Sequence, residues 1–286
     1  MITKLENGSV TSPQGFKGGA ASCNVKGIEK DDGKLDVSIV LSDTDCTAAG
    51  VFTTSQFVAP PVTIDQETLV KNNDTIRGVI TNSGNANAAT GAIGLENAKQ
   101  MLVATAEACG GSAGQYLVMS TGVIGVQLPM ERIAKGIAGA ANDLGSSDAH
   151  GLRASQRIMT TDTFVKMSAV EVQLSGGAVR IGGMSKGAGM IHPNMATMLG
   201  VVTTDGAIAP DLIKEMMKDA ADVSFNRISV DGDTSTNDTV LLLANGASGI
   251  EISRSHQADY ELFKTALIQL CTEVAQLIVR DGEGAR

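Results

Sequence analysis

Short strand-like runs alternate irregularly with long amphipathic segments along this chain, and no other sequence feature constrains its fold as strongly. A helix that is apolar along one stripe must bury that stripe against another element. The order is too irregular for a strict series of βαβ units, so the sequence predicts one α/β unit with a junction near residues 182–200. The predicted helices are Leu95–Cys109, Met130–Leu144, Pro210–Val223 and Asp259–Val279, and the predicted strands are Val37–Leu41, Val51–Thr54, Val62–Ile64, Gly78–Thr81, Leu117–Ser120, Arg227–Val230 and Thr239–Ala244.

A β-hairpin is predicted between Val165–Leu174 and Ala178–Ile181, which flank the turn residues Ser175-Gly176-Gly177. The apolar alternation changes phase midway along the first strand, and this change predicts a β-bulge. The glycine-rich segment Gly182–Gly189 that follows is predicted to be irregular. Its sequence GGMSKGAG matches neither the P-loop nor the dinucleotide-binding fingerprint, so it does not predict a nucleotide site.

Charge and composition exclude two classes of partner. The net charge is −9 at pH 7, so no electrostatic attraction to nucleic acid or to anionic lipid is expected. With no Trp, 2 Tyr and 6 Phe, the chain offers few rings on which bases could stack. No continuous apolar run has the length of a membrane-spanning helix. Neither nucleic acid nor a membrane is therefore expected as a partner.

The four cysteines, Cys23, Cys46, Cys109 and Cys271, lie far apart and form no C-x-x-C pair. This spacing indicates neither a zinc knuckle nor a disulfide scaffold, and it favours free, buried thiols in a reducing compartment. The first residues contain no apolar leader segment. A cytoplasmic location is therefore expected.

An acidic loop over residues 231–238 resembles the beginning of a calcium-binding loop. Its sixth and twelfth positions are Thr236 and Leu242 rather than the glycine and glutamate of an EF-hand. A network of hydrogen-bonded turns is therefore favoured over a divalent-ion site. The three histidines form no H-E-x-x-H motif, and no metal site is expected.

Four segments are rich in Thr, Ser, Asn and Gly, which supply hydroxyl groups and accessible backbone N–H groups. Such loops suit the binding of a polar small molecule and the stabilisation of an oxyanion. Taken singly, each segment is better explained by Asx and Ser/Thr turns. The segments are Asn82–Asn87, Ser120–Gly125, Thr160–Thr163 and Lys186–Thr197.

The segment Lys186–Leu199, with the sequence KGAGMIHPNMATML, resembles the self-cleavage signature of the glutamate N-acetyltransferase/ornithine acetyltransferase family of arginine biosynthesis. The resemblance extends over essentially the whole chain. The other motifs that carry it are Thr47–Thr54, Asn82–Asn87, Ser120–Gly125, Met159–Phe164, Ser224–Arg227, Val230–Thr239 and Arg280–Ala285.

The resemblance implies an acetyltransferase that moves the acetyl group from N2-acetylornithine to glutamate, with acetyl-CoA as an alternative donor and no metal or organic cofactor. It implies that the precursor cuts itself between Ala196 and Thr197, into an α chain of residues 1–196 and a β chain of residues 197–286. The implied fold is an αββα-type layered sandwich in which the two chains are intertwined. The implied assembly is an α2β2 heterotetramer.

Thr197 is the nucleophile that the resemblance implies. An N-terminal threonine carries its own α-amine, whose pKa of about 7.7–8.0 leaves a neutral fraction that can accept the hydroxyl proton. At the substrate-binding positions, a lysine suits a substrate carboxylate and a glutamate suits an amino group. The other implied site residues are Thr121 and Gly122 as the oxyanion hole, and Thr163, Lys186 and Glu283, together with Thr197, as substrate contacts.

Family members continue beyond the Arg280–Ala285 motif into a further β-rich segment that helps to enclose the substrate, whereas this sequence ends at Arg286. The expectation is therefore a β chain that lacks this segment. Two other hypotheses remain open. One is an N-terminal-threonine amidohydrolase, which passes the acyl group to water, and the other is an inactive precursor that stays uncleaved.

Overall fold

The computed structural model describes residues 1–27, 36–192 and 198–284. Its helices are α1 (Pro60–Asn72), α2 (Gly91–Cys109), α3 (Met130–Asn142), α4 (Asp148–Arg157), α5 (Pro210–Val223) and α6 (Gln257–Arg280). Its strands are β1 (Ile2–Lys4), β2 (Phe16–Ala21), β3 (Val37–Phe52), β4 (Ile76–Asn85), β5 (Tyr116–Val123), β6 (Lys166–Leu174), β7 (Gly177–Lys186), β8 (Leu199–Thr204), β9 (Ala207–Ile208), β10 (Thr239–Ala244) and β11 (Glu251–Ile252).

One long strand, β3, belongs to two sheets. Its first part, from Val37 to Leu41, lies between β2 and β4, and its last part, from Thr47 to Phe52, pairs with β10. The register shifts between Leu41 and Cys46, where the strand passes from one sheet to the other. The hydrogen-bonded order is β1-β6-β7-β8-β10-β3-β4-β5, with β2 also paired to β3. The strands from β1 to β3 in this order form the first sheet, β2, β3, β4 and β5 form the second, and β9 and β11 form a separate two-stranded sheet.

The two sheets face each other across an aliphatic core, and helices cover their outer faces. Along β10, Leu241 and Leu243 belong to the core between the sheets, whereas Val240 and Leu242 pack with residues of α5 and α6. The outer face of the second sheet packs in the same way with α2 and α3. Each fully buried aliphatic side chain contributes about 1.5–3 kcal/mol to stability. This α-β-β-α layering confirms the predicted fold class.

All four predicted helices are confirmed, as α2, α3, α5 and α6. The predicted strand Val62–Ile64 is wrong, because these residues lie in α1. Pro60 and Pro61 occupy the first positions of that helix, where a proline costs no hydrogen bond and its fixed φ is already helical. A three-residue apolar run is too short to distinguish a strand from one turn of a buried helix.

Among the other predicted strands, Val37–Leu41 and Val51–Thr54 prove to be the two ends of β3, which ends at Phe52. Gly78–Thr81, Leu117–Ser120 and Thr239–Ala244 are confirmed within β4, β5 and β10. Arg227–Val230 is not a strand, because Arg227 ends a short 3-10 turn and the segment pairs with no neighbouring strand in the described part of the chain.

The predicted hairpin is confirmed as β6 and β7, but the predicted bulge is wrong. The antiparallel register runs without a shift along all nine residues of β6. Both faces of this strand are covered, so Ala169 and Val170, which point to opposite faces, are both buried. The change of phase in the apolar pattern therefore results from burial on both faces of the strand, and not from the extra residue that a bulge would insert.

β7 continues through the segment predicted to be irregular, as far as Lys186. A Cβ atom on Gly182 would lie 2.0 Å from the Ser9 carbonyl oxygen, and one on Gly183 would lie 2.8 Å from Leu270 Cδ2. Glycine therefore lets the N-terminal loop and α6 contact the strand backbone. This packing carries the regular strand up to Lys186, whose side chain is buried.

Among the described residues, one helical segment, Arg254–Arg280, is long and apolar enough to cross a bilayer, with a mean hydropathy of 1.4. Phe263, Leu267 and Leu270 in this segment are fully buried in the core cluster that includes β6 and β7. Its apolar stripe is therefore used in packing against the sheet.

The four cysteines are free thiols, as the spacing predicts. Cys46 and Cys271 are buried, and Cys23 and Cys109 are half-buried. Burial raises the pKa of the Cys46 and Cys271 thiols to about 12. These two thiols are therefore inert at neutral pH.

Candidate active site

Thr121 and Gly122 lie where β5 leaves its parallel pairing with β4. Asn85 is opposite both Thr121 and Val123, so the ladder is irregular here. Gly122 has a φ of 131°, and a Cβ atom on it would lie 2.2 Å from the Gly84 carbonyl carbon. Only glycine fits this backbone. The predicted oxyanion pair thus occupies a constrained turn at the end of the strand.

Lys186, at the end of β7, contacts this turn. Its Nζ atom donates a hydrogen bond of 3.2 Å to Thr121 Oγ1, and the side chains of both residues are buried. An ammonium group only donates, so the Thr121 oxygen accepts and its own hydrogen stays available for another acceptor. A hydroxyl polarised in this way suits the stabilisation of negative charge on a nearby oxygen.

The charges around Lys186 act in opposite directions. Burial is the largest influence and lowers the pKa of the Lys186 ammonium, and the positive charge of Lys166 adds to this effect. Asp162, Asp238 and Glu283 raise it. The net direction is downward, so this lysine loses its proton more easily than an exposed one.

Lys166 forms a second buried centre next to Lys186. Its Nζ atom donates to Asp162 Oδ1 at 2.6 Å and to Asp281 Oδ2 at 2.5 Å. Asp162 Oδ1 also accepts the Gly187 N–H at 2.7 Å, which ties the centre to the residue after Lys186. Burial alone would raise the pKa of Asp162, but Lys186, Lys166 and two backbone N–H groups hold it below its usual range.

Thr163 binds Asp281 of this centre, and Glu283 follows Asp281 by two residues in the chain. The Thr163 N–H donates to Asp281 Oδ2 at 2.9 Å and its hydroxyl donates to Asp281 Oδ1, so both groups are already engaged. The Glu283 N–H donates to the Ala188 carbonyl oxygen at 2.7 Å. A Cβ atom on Gly189 would lie 2.9 Å from the Glu283 carboxyl carbon, so the glycine leaves room for this side chain.

The acidic loop holds the chain on both sides of residues 193–197. The Asp231 carboxylate accepts the N–H groups of Met190 and Ile191, the latter at 2.9 Å. At the other end of the loop, Asp238 Oδ1 accepts the Met198 N–H at 2.9 Å. The carboxylates thus bind backbone, as the hydrogen-bonded interpretation of this loop predicts. Within the described ranges, no cluster of three or more ligating side chains could hold a metal ion.

The predicted cleavage residues Ala196 and Thr197 lie outside the described residues. Met198, the next residue, lines a small cavity together with Thr121 and Lys186. Asn237 Nδ2 donates to the carbonyl oxygens of Ala86 and Ser120, at 2.7 and 3.0 Å, and so links the acidic loop to the strand that carries Thr121. The remaining lining residues are Leu199, Ser235, Asn237 and Asp238.

Asp238 is the most perturbed carboxyl group of this cavity. Its side chain is fully buried, and its Oδ2 atom makes no hydrogen bond. Burial raises its pKa to about 8, although the Met198 N–H, the Lys186 charge and the Ser235 hydroxyl act in the opposite direction. Asp238 therefore keeps its proton to a higher pH than an exposed aspartic acid does.

The structure brings four of the predicted site residues together around the end of β7: Thr121, Lys186, Thr163 and Glu283. Gly122 adjoins them in the β5 turn. The motifs had no means of assigning roles to Asp162, Lys166, Asn237, Asp238 and Asp281. Four of these, Asp162, Asn237, Asp238 and Asp281, lie inside the motifs that carry the family resemblance, and that position was the available signal.

Comparison with known proteins shows the family of this chain. A sequence profile described as the ArgJ family matches residues 18–286. The mitochondrial arginine biosynthesis bifunctional protein ArgJ of Sordaria macrospora is 49% identical over 281 residues, which are 97% of this chain and 59% of that protein. The ArgJ protein of Dehalococcoides mccartyi is 44% identical over 285 residues, which are 100% of this chain and 68% of that protein.

Among solved structures, ornithine acetyltransferase of Mycobacterium tuberculosis, crystallised in complex with ornithine, superimposes with a TM-score of 0.62 at 34% identity. The match covers 69% of this chain and 100% of that chain. This chain spans 59% of the length of the Sordaria relative. The profile match over almost the whole length and the Dehalococcoides relative together show that this chain belongs to the ArgJ family.

Proposed function

We propose that this chain is an acetyltransferase of arginine biosynthesis that moves the acetyl group from N2-acetylornithine to glutamate through an acetyl ester on Thr197. The observation that carries the proposal is the hydrogen bond from Lys186 Nζ to Thr121 Oγ1, in a cavity that Met198 lines. The proposed oxyanion hydroxyl of Thr121, the buried Lys186 and the residue after the proposed nucleophile thus line one cavity.

In the first half-reaction, the Thr197 oxygen forms a bond to the acetyl carbonyl carbon and the α-amine accepts the hydroxyl proton. The negative charge that develops on the carbonyl oxygen is stabilised by the Thr121 hydroxyl and the Gly122 N–H. One such donor contributes about 3 kcal/mol. The C–N bond then breaks, and the ornithine nitrogen leaves with that proton.

In the second half-reaction, the neutral amine of glutamate forms a bond to the acetyl carbon and the ester C–O bond breaks. The proton that the amine loses passes through the Thr197 α-amine to the Thr197 oxygen, and N-acetylglutamate leaves. Both amino-acid substrates carry a carboxylate, and Lys186 is a buried cation beside the cavity. Glu283 lies beside Gly189 and offers a negative charge to the ammonium group of ornithine. Thr163 contributes to substrate binding through its place beside Asp281, next to the same glycine-rich segment.

The proposal includes self-cleavage between Ala196 and Thr197. The Mycobacterium chain is matched over its full length by 69% of this chain, and 69% of 286 residues is about 197 residues. That length agrees with an α chain that ends at Ala196. The acidic loop supports the same proposal, because Asp231 and Asp238 hold the backbone on both sides of the cut.

After the cut, β7 and β3 would belong to the α chain, and β8 and β10, which lie between them in the sheet, to the β chain. Strand pairing across the sheet would therefore keep the two chains intertwined. We propose an α2β2 heterotetramer as the assembly. Acetyl-CoA is an alternative donor in this proposal, and the chemistry needs no metal or organic cofactor. A cytoplasmic location is proposed for this chain, whereas the Sordaria relative is mitochondrial.

The experiment is incubation of the purified protein with N2-acetylornithine and glutamate, with separate measurement of ornithine, N-acetylglutamate and acetate. Equal amounts of ornithine and N-acetylglutamate are expected, with none from the Thr197→Ala variant. Acetate in place of N-acetylglutamate would favour the amidohydrolase. Fully cleaved protein that releases no ornithine would overturn the proposal.

A further inference from the structure

Asp238 uses one carboxyl oxygen and leaves the other unused. Oδ1 accepts the Met198 N–H at 2.9 Å, whereas Oδ2 is buried and has no hydrogen-bond partner. An ionised carboxylate with an unsatisfied buried oxygen is costly, and protonation removes that cost. The direction of the pKa of Asp238, raised to about 8 chiefly by burial, agrees with this geometry.

The position of Asp238 connects it to the proposed nucleophile. The Met198 nitrogen belongs to the peptide bond that joins Thr197 to Met198. After the proposed cut, the new α-amine of Thr197 is three covalent bonds from that nitrogen. Asp238 thereby anchors the first peptide bond of the proposed β chain.

Asp238 also shares the cavity with Lys186 and Thr121. The Lys186 ammonium donates to Thr121 Oγ1, and no hydrogen bond joins it to Asp238. Among the described residues, the charged and polar groups around Asp238 are Lys186 on β7, Thr121 on β5, the Met198 N–H, and Ser235 and Asn237 in its own loop. An ionised Asp238 would attract the ammonium and compete with Thr121 for it.

We propose that Asp238 is a positioning residue that works as a neutral carboxylic acid, holding the Met198 amide through Oδ1 and leaving the Lys186 ammonium on Thr121. The inference rests on the proposed acetyl transfer. At a pH high enough to ionise Asp238, its carboxylate attracts the Lys186 ammonium away from Thr121. Thr121 then loses its polarising partner, and acetyl transfer slows. Ionisation of Asp238 is then the alkaline limit of the reaction.

Asp65 provides a matched control. It is fully buried, its Oδ1 atom accepts the Val118 N–H at 2.8 Å, and its Oδ2 atom is unpartnered. Burial raises the pKa of Asp65 as well. Asp65 lies in α1 and does not line the cavity. It is therefore a buried carboxyl group with one unpartnered oxygen, like Asp238, but it lies outside the candidate active site.

The test is the pH dependence of ornithine release from N2-acetylornithine and glutamate by the wild-type protein, Asp238→Asn and Asp65→Asn. The wild-type rate is expected to rise as the Thr197 amine loses its proton and to fall above about pH 8. Asparagine keeps an oxygen for the Met198 N–H and cannot ionise. The Asp238→Asn variant should therefore lose the alkaline fall, and its rate relative to the wild type should rise about tenfold between about pH 7 and pH 9. Asp65→Asn should follow the wild type.

An Asp238→Asn profile parallel to the wild-type profile would overturn the inference while leaving the proposed function in place. A wild-type protein that is cleaved but releases no ornithine would overturn the proposed function, and the role of Asp238 with it. Infrared difference spectra between wild type and Asp238→Asn supply a readout that does not depend on activity. A protonated carboxyl band at about pH 7 that vanishes above about pH 8 is expected, and a carboxylate band at about pH 7 would contradict the inference.

Discussion

Lys166 and Asp281 form a buried ion pair across the boundary between the two proposed chains. Lys166 Nζ lies 2.5 Å from Asp281 Oδ2, and the Lys166 side chain is fully buried. Asp281 directly follows α6 and is two residues before Glu283. The pair therefore fixes the end of α6, and with it the proposed substrate contact, against β6.

Replacing Asp281 with asparagine should lower the free energy of unfolding by about 3 kcal/mol. Removing one partner of a buried pair typically costs about 3–5 kcal/mol, and the lower end is expected because Asp162 still pairs with Lys166. Urea denaturation measures the change. The control is Asp222→Asn, which breaks an exposed pair with Lys218 and should leave the denaturation midpoint unchanged. Equal effects of the two substitutions would contradict the prediction.

The cluster of Lys166, Asp162 and Asp281 also predicts how the stability of the protein depends on pH. Lys166 and neighbouring hydrogen bonds hold the pKa values of Asp162 and Asp281 below their usual range, against the effect of burial. A carboxyl group with a lowered folded-state pKa stabilises the protein above its unfolded pKa, about 3.9, and loses this contribution as the pH falls through its folded pKa. Thermal unfolding between about pH 6 and pH 3 should therefore show a loss of stability below about pH 4. The loss should be smaller in Asp281→Asn, and an equal loss would count against the account.

Gly122→Ala should abolish most of the acetyl-transfer rate. The added Cβ atom would lie 2.2 Å from the Gly84 carbonyl carbon at a φ of 131°, so the turn that presents the Gly122 N–H must change. Loss of one oxyanion donor costs about 10²–10³ in rate. Gly125→Ala is the matched control, because Gly125 also has a positive φ of 83° but no atom within 4 Å of the added Cβ. A similar loss of acetyl-transfer rate in both variants would indicate that backbone strain causes the loss, and that the Gly122 N–H does not stabilise the oxyanion.

Thr121→Ala and Thr121→Ser separate the hydroxyl from the rest of the side chain. Alanine removes the group that accepts from Lys186 and is proposed to donate to the oxyanion. A loss of about 10²–10³ in the rate of ornithine release is expected for alanine, and a much smaller loss for serine. Equal losses for the two variants would contradict a role for the hydroxyl.

The sequence predicted four of the six α-helices in the described part of the chain because their signal is local, but it missed α4 and predicted part of α1 as a strand. The apolar stripe of α6 recurs over its whole length, and no distant residue is needed to interpret it. The second half of β7 was not predicted, because glycines within a strand look like an irregular segment unless the group that packs against them is known. For Gly182 that partner is Ser9, far away in the sequence.

The same distinction applies to the site. Thr121, Lys186 and Glu283 were assigned through motifs, and their proximity was an expectation from the family resemblance. The lysine in β6 offered no sequence signal of burial, because its partner Asp281 is 115 residues away. The perturbed carboxyl of Asp238 depends on burial and on an unused oxygen, and a sequence displays neither.

Thr197 is proposed to become the N-terminal nucleophile of a separate chain, and intact-mass measurement of purified wild-type protein and of Thr197→Ala is the decisive experiment. Two wild-type chains are expected, one ending at Ala196 and one beginning at Thr197, whose summed mass exceeds that of the precursor by one water molecule. Thr197→Ala is expected to remain a single chain. A single unprocessed wild-type chain, or a cut at another peptide bond, would show that Thr197 does not become an N-terminal nucleophile.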